Sequence, residues 1–192
     1  NTLANGIAWY YRNEETPFVF RAVNRLDRDT SGLVLLAKNP YSSCVLSDAV
    51  KDHTIHREYA AIVSGKTDAS GTIDLPIARK DGSTIERICD PERGETAVTH
   101  YRTFAYNKDA DISFIRLLLE TGRTHQIRVH MNYIGYPIEG DPVYGPKSHL
   151  LFDKGQLLHA EKLILIHPKT KKKMTFTAPL PKDFQDIIDN LE

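Results

Sequence analysis

The chain has 192 residues, of which 41% are hydrophobic and 26% charged, and this composition fits one globular domain over residues 1–192 rather than a disordered chain. Lysine and arginine together number 25, as do aspartate and glutamate, so the zero net charge excludes a general electrostatic attraction to nucleic acid or anionic membranes. The two cysteines, Cys44 and Cys89, form no CxxC or Cys/His cluster, so neither a disulfide framework nor a structural zinc site is indicated. No apolar run reaches membrane-spanning length and the first residues lack signal-peptide features, so we expect a reduced, cytoplasmic protein.

Hydrophobic patterns, together with glycine and proline positions, predict short strands and three helices. In chain order, the predicted elements are a strand at residues 31–38, a helix at 40–53, strands at 58–65, 98–106 and 112–120, a helix at 124–135, strands at 162–168 and 173–179, and a short helix at 183–191. The strands outnumber the helices and do not alternate regularly with them, which predicts an α+β fold around a mainly antiparallel sheet. Residues 78–94 are polar and predict a surface excursion, and the lysine-rich residues 169–173 predict a solvated hairpin tip in preference to a phosphate site.

The helix predicted at residues 124–135 carries both a core face and several polar side chains. Its core-facing stripe at helical spacing consists of Ile127, His130, Met131 and Ile134. Arg123, His125 and Arg128 crowd its first turns, where free N–H groups and arginines suit a phosphate or a carboxylate. Arg128 falls off the stripe and could bind an RNA backbone, hold a carboxylate such as Asp27 ionised, or be a surface arginine. His125 and His130 do not share one helical face, which favours packing or hydrogen bonding over metal ligation.

Two further segments contain residues that could carry chemistry. Residues 24–32, NRLDRDTSG, place Asp27 in a charged loop directly before an apolar strand, and loops held by a rigid sheet commonly carry reactive groups. Considered alone, the loop is better explained by turn-forming side chains and solvated arginines. In REYAAIVSG, period-2 alternation puts Tyr59, Ala61 and Val63 on one strand face, where the tyrosine either packs in the core or stacks on an extruded base.

These segments together resemble the RluA-type pseudouridine synthases. NRLDRDTSG resembles the motif HRLDRxTSG of that family, and REYAAIVSG resembles its strand motif with tyrosine after a basic pair. TGRTHQIRVHMNYIGYPIEGDPVYG is similar to the long family signature, and LLHAEKLILIHPKTKKKMTFTAPLP resembles the C-terminal part. The four motifs occur in the order of the family between residues 1 and 181, which makes a chance match very improbable.

The resemblance implies the pseudouridine synthase catalytic fold and the isomerisation of uridines in ribosomal or transfer RNA. It implies that Asp27 is the catalytic carboxylate and that Arg128 pairs with it, while Tyr59 packs on the target base. Leu158 would supply an apolar wall, and Arg25 would hold the RNA after the base is extruded. Arg123 and His125, which the helix pattern already suggested as anion contacts, complete the expected substrate-binding residues. The reaction gains and loses no electrons or groups, so we expect no cofactor and no metal, with RNA as the partner and no obligatory protein partner.

The chain also departs from the family pattern. Asn24 stands where the family usually has histidine, and an amide cannot carry an imidazolium charge, so a local contact to RNA or within the loop should differ. The family usually has an additional strand and often a small RNA-binding domain upstream, so we expect a chain that begins at Asn1 to be a fragment. The alternatives are an RNA-binding module without catalysis and a nucleoside or glycoside hydrolase, although a hydrolase commonly needs two carboxylates. Whether Asp27 attacks the sugar, attacks the base or deprotonates C2′ stays open at this level.

Overall fold

A computed structural model describes residues 2–13, 18–146, 152 and 154–190 of the chain. The helices are α1 (Leu3–Tyr10), α2 (Pro40–Lys51), α3 (Gln126–Tyr133) and α4 (Lys182–Asp189). The strands are β1 (Ser31–Gly32), β2 (His56–Ser64), β3 (Ser70–Asp74), β4 (Ile77–Arg79), β5 (Arg87–Cys89), β6 (Val98–Asn107), β7 (Ile112–Leu119), β8 (Leu158–Ile166) and β9 (Lys173–Thr177). None of the helices within these ranges is both long and apolar enough to cross a membrane.

A seven-stranded sheet forms the centre of the molecule, in the order β1-β8-β2-β7-β6-β3, with β9 pairing the second half of β8. All pairs are antiparallel except β1 with β8, where Ser31 lies opposite His159. The strands β4 and β5 form a separate two-stranded hairpin. The expected α+β class with a mainly antiparallel sheet is therefore confirmed.

Alternating side chains of the strands build two hydrophobic clusters on the two faces of the sheet. Tyr59, Ala61 and Val63 belong to the cluster that packs against Ile127 and Met131 of α3. The intervening residues Ala60 and Ile62 belong to the cluster closed by Phe184 of α4. The period-2 assignment for β2 is thus confirmed, and the sheet lies between α3 on one face and α4 on the other.

Most of the predicted elements lie within a few residues of the observed ones. The helix predicted at residues 124–135 ends as expected at Gly135, which adopts a left-handed φ of 87°, while the Tyr136 amide donates to the Met131 carbonyl. Strands β8 and β9 form the predicted hairpin around the lysine-rich tip. The C-terminal helix is α4, and Leu191 at the end of its predicted range lies outside the described residues.

One prediction was wrong in extent, and the predicted surface excursion contains regular structure. The strand predicted at residues 31–38 is only the two-residue β1, because Gly32 takes a φ of 110° and its α-carbon packs on the Ala160 backbone, which turns the chain out of the ladder. The excursion predicted at residues 78–94 contains the regular hairpin β4–β5, in which Ile77 is buried beside Val129 of α3. The helix α1 and the strand β3 were not predicted.

The close approach at Gly32 can be tested by adding one methyl group. Gly32→Ala should destabilise the protein by at least about 1 kcal/mol, because its Cβ would clash with the Ala160 carbonyl and its φ is unfavourable for alanine. Urea unfolding midpoints measure the change. The matched control is Gly6→Ala in α1, where a Cβ meets nothing within 4 Å and the midpoint should stay the same or rise. Equal midpoints for Gly32→Ala and the unmodified protein would contradict this account.

Candidate active site

A pocket of about 200 Å³ opens where the loop before β1 faces the start of α3. Its walls come from the loop at residues 23–30, from β2, from the β7–α3 connection and from the start of β8. All seven residues singled out from the sequence line this one pocket: Arg25, Asp27, Tyr59, Arg123, His125, Arg128 and Leu158. Side chains separated by up to 133 positions in the chain are thus brought together, which is the arrangement expected of a binding or catalytic site.

Asp27 lies in a short turn that is fixed from outside its own segment. The Thr30 amide donates to the Asp27 carbonyl (3.1 Å), which closes the turn. The side-chain amide of Gln156, just before β8, donates to the Arg28 carbonyl (2.6 Å) and to Thr30 Oγ1 (2.8 Å). The Asp27 side chain keeps 17% of its surface exposed, so the carboxylate faces the pocket while its backbone is held in place.

Arg128 is the central charged group of the site and is almost completely buried. Its Nε and Nη2 donate to the two carboxylate oxygens of Asp141 at 2.6 and 2.8 Å, and its Nη1 donates to Asp27 Oδ2 at 3.2 Å. The surface-arginine alternative is therefore wrong, and the pairing with Asp27 is present. A buried guanidinium needs such partners, since an unpaired charge in the interior is strongly unfavourable.

Asp141 holds Arg128 in a fixed orientation. The amides of Val143 and Tyr144 also donate to Asp141 Oδ1, at 2.8 and 3.0 Å. Burial opposes ionisation of Asp141, but the hydrogen bonds and charge of Arg128 together with these amides outweigh it and lower the pKa of Asp141. Desolvation likewise opposes the charge of Arg128, yet the two carboxylates raise the pKa of its guanidinium, so the buried pair stays ionised.

His125 stands at the N-terminus of α3 in a left-handed conformation, with φ 58°, and faces Asp27. Its Nε2 lies 4.0 Å from Asp27 Oδ2, and its Nδ1 is hydrogen bonded to the Tyr144 hydroxyl at 3.0 Å. Burial lowers the pKa of His125, against a raising effect of Asp27, so the imidazole is neutral near pH 7. A neutral histidine beside a carboxylate can donate or accept one hydrogen bond to a bound ligand.

Part of the pocket wall is apolar. Tyr59 and Leu158 are only 7% and 4% exposed, and both belong to the cluster that includes Ile127. Burial raises the pKa of the Tyr59 phenol, so the ring is uncharged. A flat aromatic ring and a branched aliphatic side chain next to a carboxylate provide surface against which an unpaired base can lie.

Two arginines lie at the mouth of the pocket. Arg25 is exposed, and Arg123 is partly exposed with its Nε donating to the Thr96 carbonyl at 2.9 Å and its Nη1 paired with Glu95. The buried Gln126 holds this part of the chain in place, because its Oε1 accepts from the Arg123 amide at 2.9 Å and its Nε2 donates to Thr99 Oγ1 and the Val98 carbonyl.

The sequence reasoning missed several residues that build the site. Asp141 stands in the quoted stretch GDPVYG but carries no local sign that it pairs with an arginine 13 positions earlier. Gln156 and Arg57, whose Nη2 donates to the Thr121 carbonyl, were likewise not identified. Asn24, where histidine was expected, accepts from the Leu35 amide (2.6 Å) and so makes a contact within its own loop.

His130, on the core-facing stripe of α3, has hydrogen-bond partners for both ring nitrogens. His130 is fully buried, with Nδ1 bonded to Thr99 Oγ1 and Nε2 to the Leu75 carbonyl, both at 2.9 Å, which confirms the hydrogen-bonding interpretation. Across the described ranges, no group of three or more histidine, cysteine, aspartate or glutamate side chains could hold a metal ion.

Comparison with known proteins gives consistent matches in sequence and fold. The sequence model described as RNA pseudouridylate synthase matches residues 8–133. The chain is 44% identical over 188 residues to "Uncharacterized RNA pseudouridine synthase YjbO" of Bacillus subtilis (strain 168), covering 97% of this chain and 65% of that protein. It is 45% identical over 181 residues to "Ribosomal large subunit pseudouridine synthase D" of Zymomonas mobilis subsp. mobilis, covering 88% of this chain and 55% of that protein.

Two solved human structures share the fold. "Human RNA Pseudouridylate Synthase Domain Containing 4" superposes with a TM-score of 0.78 at 21% identity, covering 98% of this chain and 82% of that chain. "Human RNA Pseudouridylate Synthase Domain Containing 1" gives a TM-score of 0.74 at 23% identity, covering 90% and 80%. The chain spans between about half and two thirds of the length of the curated relatives named above.

The two carboxylates around Arg128 should respond differently to removal of their charge. Asp141→Asn should destabilise the protein by about 3–5 kcal/mol, because it leaves a buried guanidinium without its main partner. Asp27→Asn should cost only about 1 kcal/mol, since Asp141 still pairs with Arg128 and Asp27 is partly solvated. Urea denaturation of the two variants measures both values. Equal losses would show that Arg128 does not depend mainly on Asp141.

Acid should weaken the fold before the carboxylates protonate. Burial lowers the folded-state pKa of His130 and of His159, so the unfolded chain takes up protons first as the pH falls below about 6.5. The free energy of unfolding should therefore fall between pH 7.5 and 5.5, by at most about 1.4 kcal/mol per pH unit for each histidine. Urea midpoints across this range test this, and His130→Gln should give a shallower slope. An unchanged slope in that variant would exclude His130 as a cause.

Proposed function

Because the chain belongs to the RNA pseudouridylate synthase family, we propose that it isomerises uridine to pseudouridine in RNA, with Asp27 as the catalytic carboxylate. The observation that carries this proposal is the pocket that Asp27, held against Arg128, lines together with the apolar side chains of Tyr59 and Leu158. The pocket thus offers both a negative charge to a reacting sugar or base and an apolar surface to a flat ring. The proposed catalytic domain comprises residues 1–192.

The reaction breaks the bond between ribose C1′ and uracil N1, turns the base, and joins C1′ to uracil C5. The proton on C5 is lost and N1 gains one, so atoms and electrons balance without an external reductant or group donor. The site must therefore place a carboxylate beside the glycosidic bond, retain the free base and exclude water that would capture the sugar. Asp27 would serve the first purpose, and the buried Tyr59 and Leu158 would serve the other two.

The target uridine must leave its stack to enter this pocket, which costs a few kcal/mol. Stacking of the base on Tyr59 would recover about 1–3 kcal/mol. Arg25 at the mouth of the pocket would hold the RNA after the base is extruded. Arg123 and His125 would contact phosphate or ribose. Because unstacking is costly, uridines in loops or distorted stems should be better substrates than those in regular helices.

The substrate is proposed to be ribosomal or transfer RNA. Relatives named ribosomal large subunit pseudouridine synthase D, one of them 45% identical over 181 residues, favour ribosomal RNA. A cytoplasmic location follows from such a substrate. The alternatives of a non-catalytic RNA-binding module and of a hydrolase are separated by the products, since a hydrolase releases free uracil and a binding module releases nothing.

The decisive change is Asp27→Asn. It should abolish pseudouridine formation while leaving RNA affinity within about tenfold, equivalent to 1.4 kcal/mol, because only the reacting carboxylate is lost. Mass-resolved nucleoside analysis of ribosomal and transfer RNA incubated with each protein measures turnover, and filter binding measures affinity.

The matched control is Asp29→Asn, which removes a carboxylate from the same loop at an exposed position. Asn tolerates the left-handed φ of 69° at this position, so turnover should persist. Pseudouridine formed by Asp27→Asn would remove Asp27 from the mechanism. Its absence with every protein and every RNA would favour the binding-module alternative.

A further inference from the structure

A second groove, of about 350 Å³, lies beside the active-site pocket and is rich in arginine. Its charged lining consists of Arg79, Arg87, Arg93, Arg123 and Glu95. Carboxylates pair with Arg93 and Arg123, so Arg79 and Arg87 supply the excess positive charge of this groove, on a chain whose formal net charge is zero. Such a concentration of arginine attracts anions over a short range even where the whole molecule does not.

Arg79 and Arg87 are the most informative residues of this groove. They lie directly opposite each other in the β4–β5 ladder. Like charges at opposed positions of paired strands are unfavourable for folding. Among the residues that the structure describes, neither arginine has an ion pair with a carboxylate, and the neighbouring Glu86 is paired with Lys80 instead. The hairpin therefore presents two charges that its own fold does not neutralise.

The other two arginines are partly compensated. Arg93 pairs with Asp81 and Asp90, and Arg123 pairs with Glu95. Arg87 is oriented by its own hairpin, since Nη1 donates to the carbonyls of Ile85 (3.1 Å) and Glu86 (3.0 Å). The Arg79–Arg87 pair is thus the part of the groove with the greatest capacity for an added anion.

The groove adjoins the active-site pocket. Gly122, Arg123 and Thr124 line both cavities, and the Gly122 position between them has no side chain to divide them. The hairpin is also fixed to the site, because the Arg87 amide donates to the Tyr144 hydroxyl at 2.7 Å and this hydroxyl is bonded to His125. The two cavities therefore adjoin along the β7–α3 connection, and a strand bound in the pocket lies next to the groove.

We propose that the groove bearing Arg79 and Arg87 binds the phosphodiester backbone of the RNA next to the target uridine. This inference rests on the proposed function, since it assigns the groove to the same RNA strand that enters the pocket. Guanidinium groups suit this ligand because their planar fork donates two parallel hydrogen bonds to phosphate oxygens. Contacts of this kind set the position of the strand without reading its sequence.

The test is the salt dependence of RNA binding by the double variant Arg79→Met/Arg87→Met, which keeps most of the side-chain length. The probe is a fluorescein-labelled, uridine-containing RNA hairpin, and fluorescence anisotropy at several salt concentrations gives the dissociation constant. Loss of two phosphate contacts should weaken binding by about tenfold and reduce the slope of log K against log salt by about 1.4, at about 0.7 for each contact. Arg79→Lys/Arg87→Lys should retain the slope of the unmodified protein, because lysine still neutralises phosphate.

The matched control removes two positive charges at the far end of the sheet. Lys66 follows β2 and Lys108 lies in the β6–β7 turn, both at the strand ends opposite the pocket. Lys66→Met/Lys108→Met should leave affinity and slope unchanged. An equal loss in this control, or an unchanged slope in the arginine variant, would overturn the proposal.

Failure of the groove proposal can be distinguished from failure of the proposed function. Binding and salt slope are measured without turnover, whereas pseudouridine formation by the unmodified chain is measured by nucleoside analysis. Turnover by the unmodified chain combined with an unaltered salt slope in Arg79→Met/Arg87→Met would refute RNA binding in the groove and leave the proposed enzyme activity intact. A reduced slope without turnover from any RNA would leave the groove as part of an RNA-binding module.

Discussion

The burial of Arg128 is the constraint on which the site depends. A guanidinium with a side chain only 5% exposed must be surrounded by compensating groups, and here they are Asp141, which is fully buried, and Asp27 at the pocket surface. This requirement ties three distant segments together: the loop before β1, the helix α3 and the turn after Ile138. Asp27 is therefore oriented by a charge that is itself fixed by Asp141, so the proposed catalytic carboxylate does not depend on its own loop alone for its direction.

The same loop is held from its other side by the start of β8. Gly155 lies so close to Asp29 that no side chain could be added there, and Gln156 donates to the backbone and side chain of the turn. Next along β8, His159 is bonded to Ser31 (2.7 Å). Asp27 is thus located between a buried ion pair and the edge of a sheet. Both supports are rigid, which suits a proposed catalytic group whose position must be accurate to within a fraction of an ångström.

The sequence predicted those features that depend on spacing within one segment. The alternation through Tyr59 and the stripe from Ile127 to Met131 identified buried faces. In a strand or a helix, the side chains on one face recur at a fixed period in the sequence. The family resemblance singled out Arg25, Asp27, Tyr59, Arg128 and Leu158, and the helix pattern singled out Arg123 and His125, all of which line the pocket. Asp141 and Gln156 could not be predicted, since their importance comes from partners 13 and more than 120 residues away. The short length of β1 was not predicted, because it goes with the positive φ of 110° at Gly32, which the apolar pattern of residues 31–38 does not encode.

In the proposed function, the charges inside the pocket and those at its rim would contact different parts of the RNA. Asp27, Arg128 and Asp141 together carry one net negative charge inside the pocket, which disfavours a phosphate there and suits an uncharged base and ribose. The phosphates that flank the base must then be contacted outside, where Arg25, Arg123 and the Arg79–Arg87 pair lie. Because the chain as a whole is neutral, these groups act only at short range. The strand is therefore expected to be aligned after contact, rather than steered to the site from a distance.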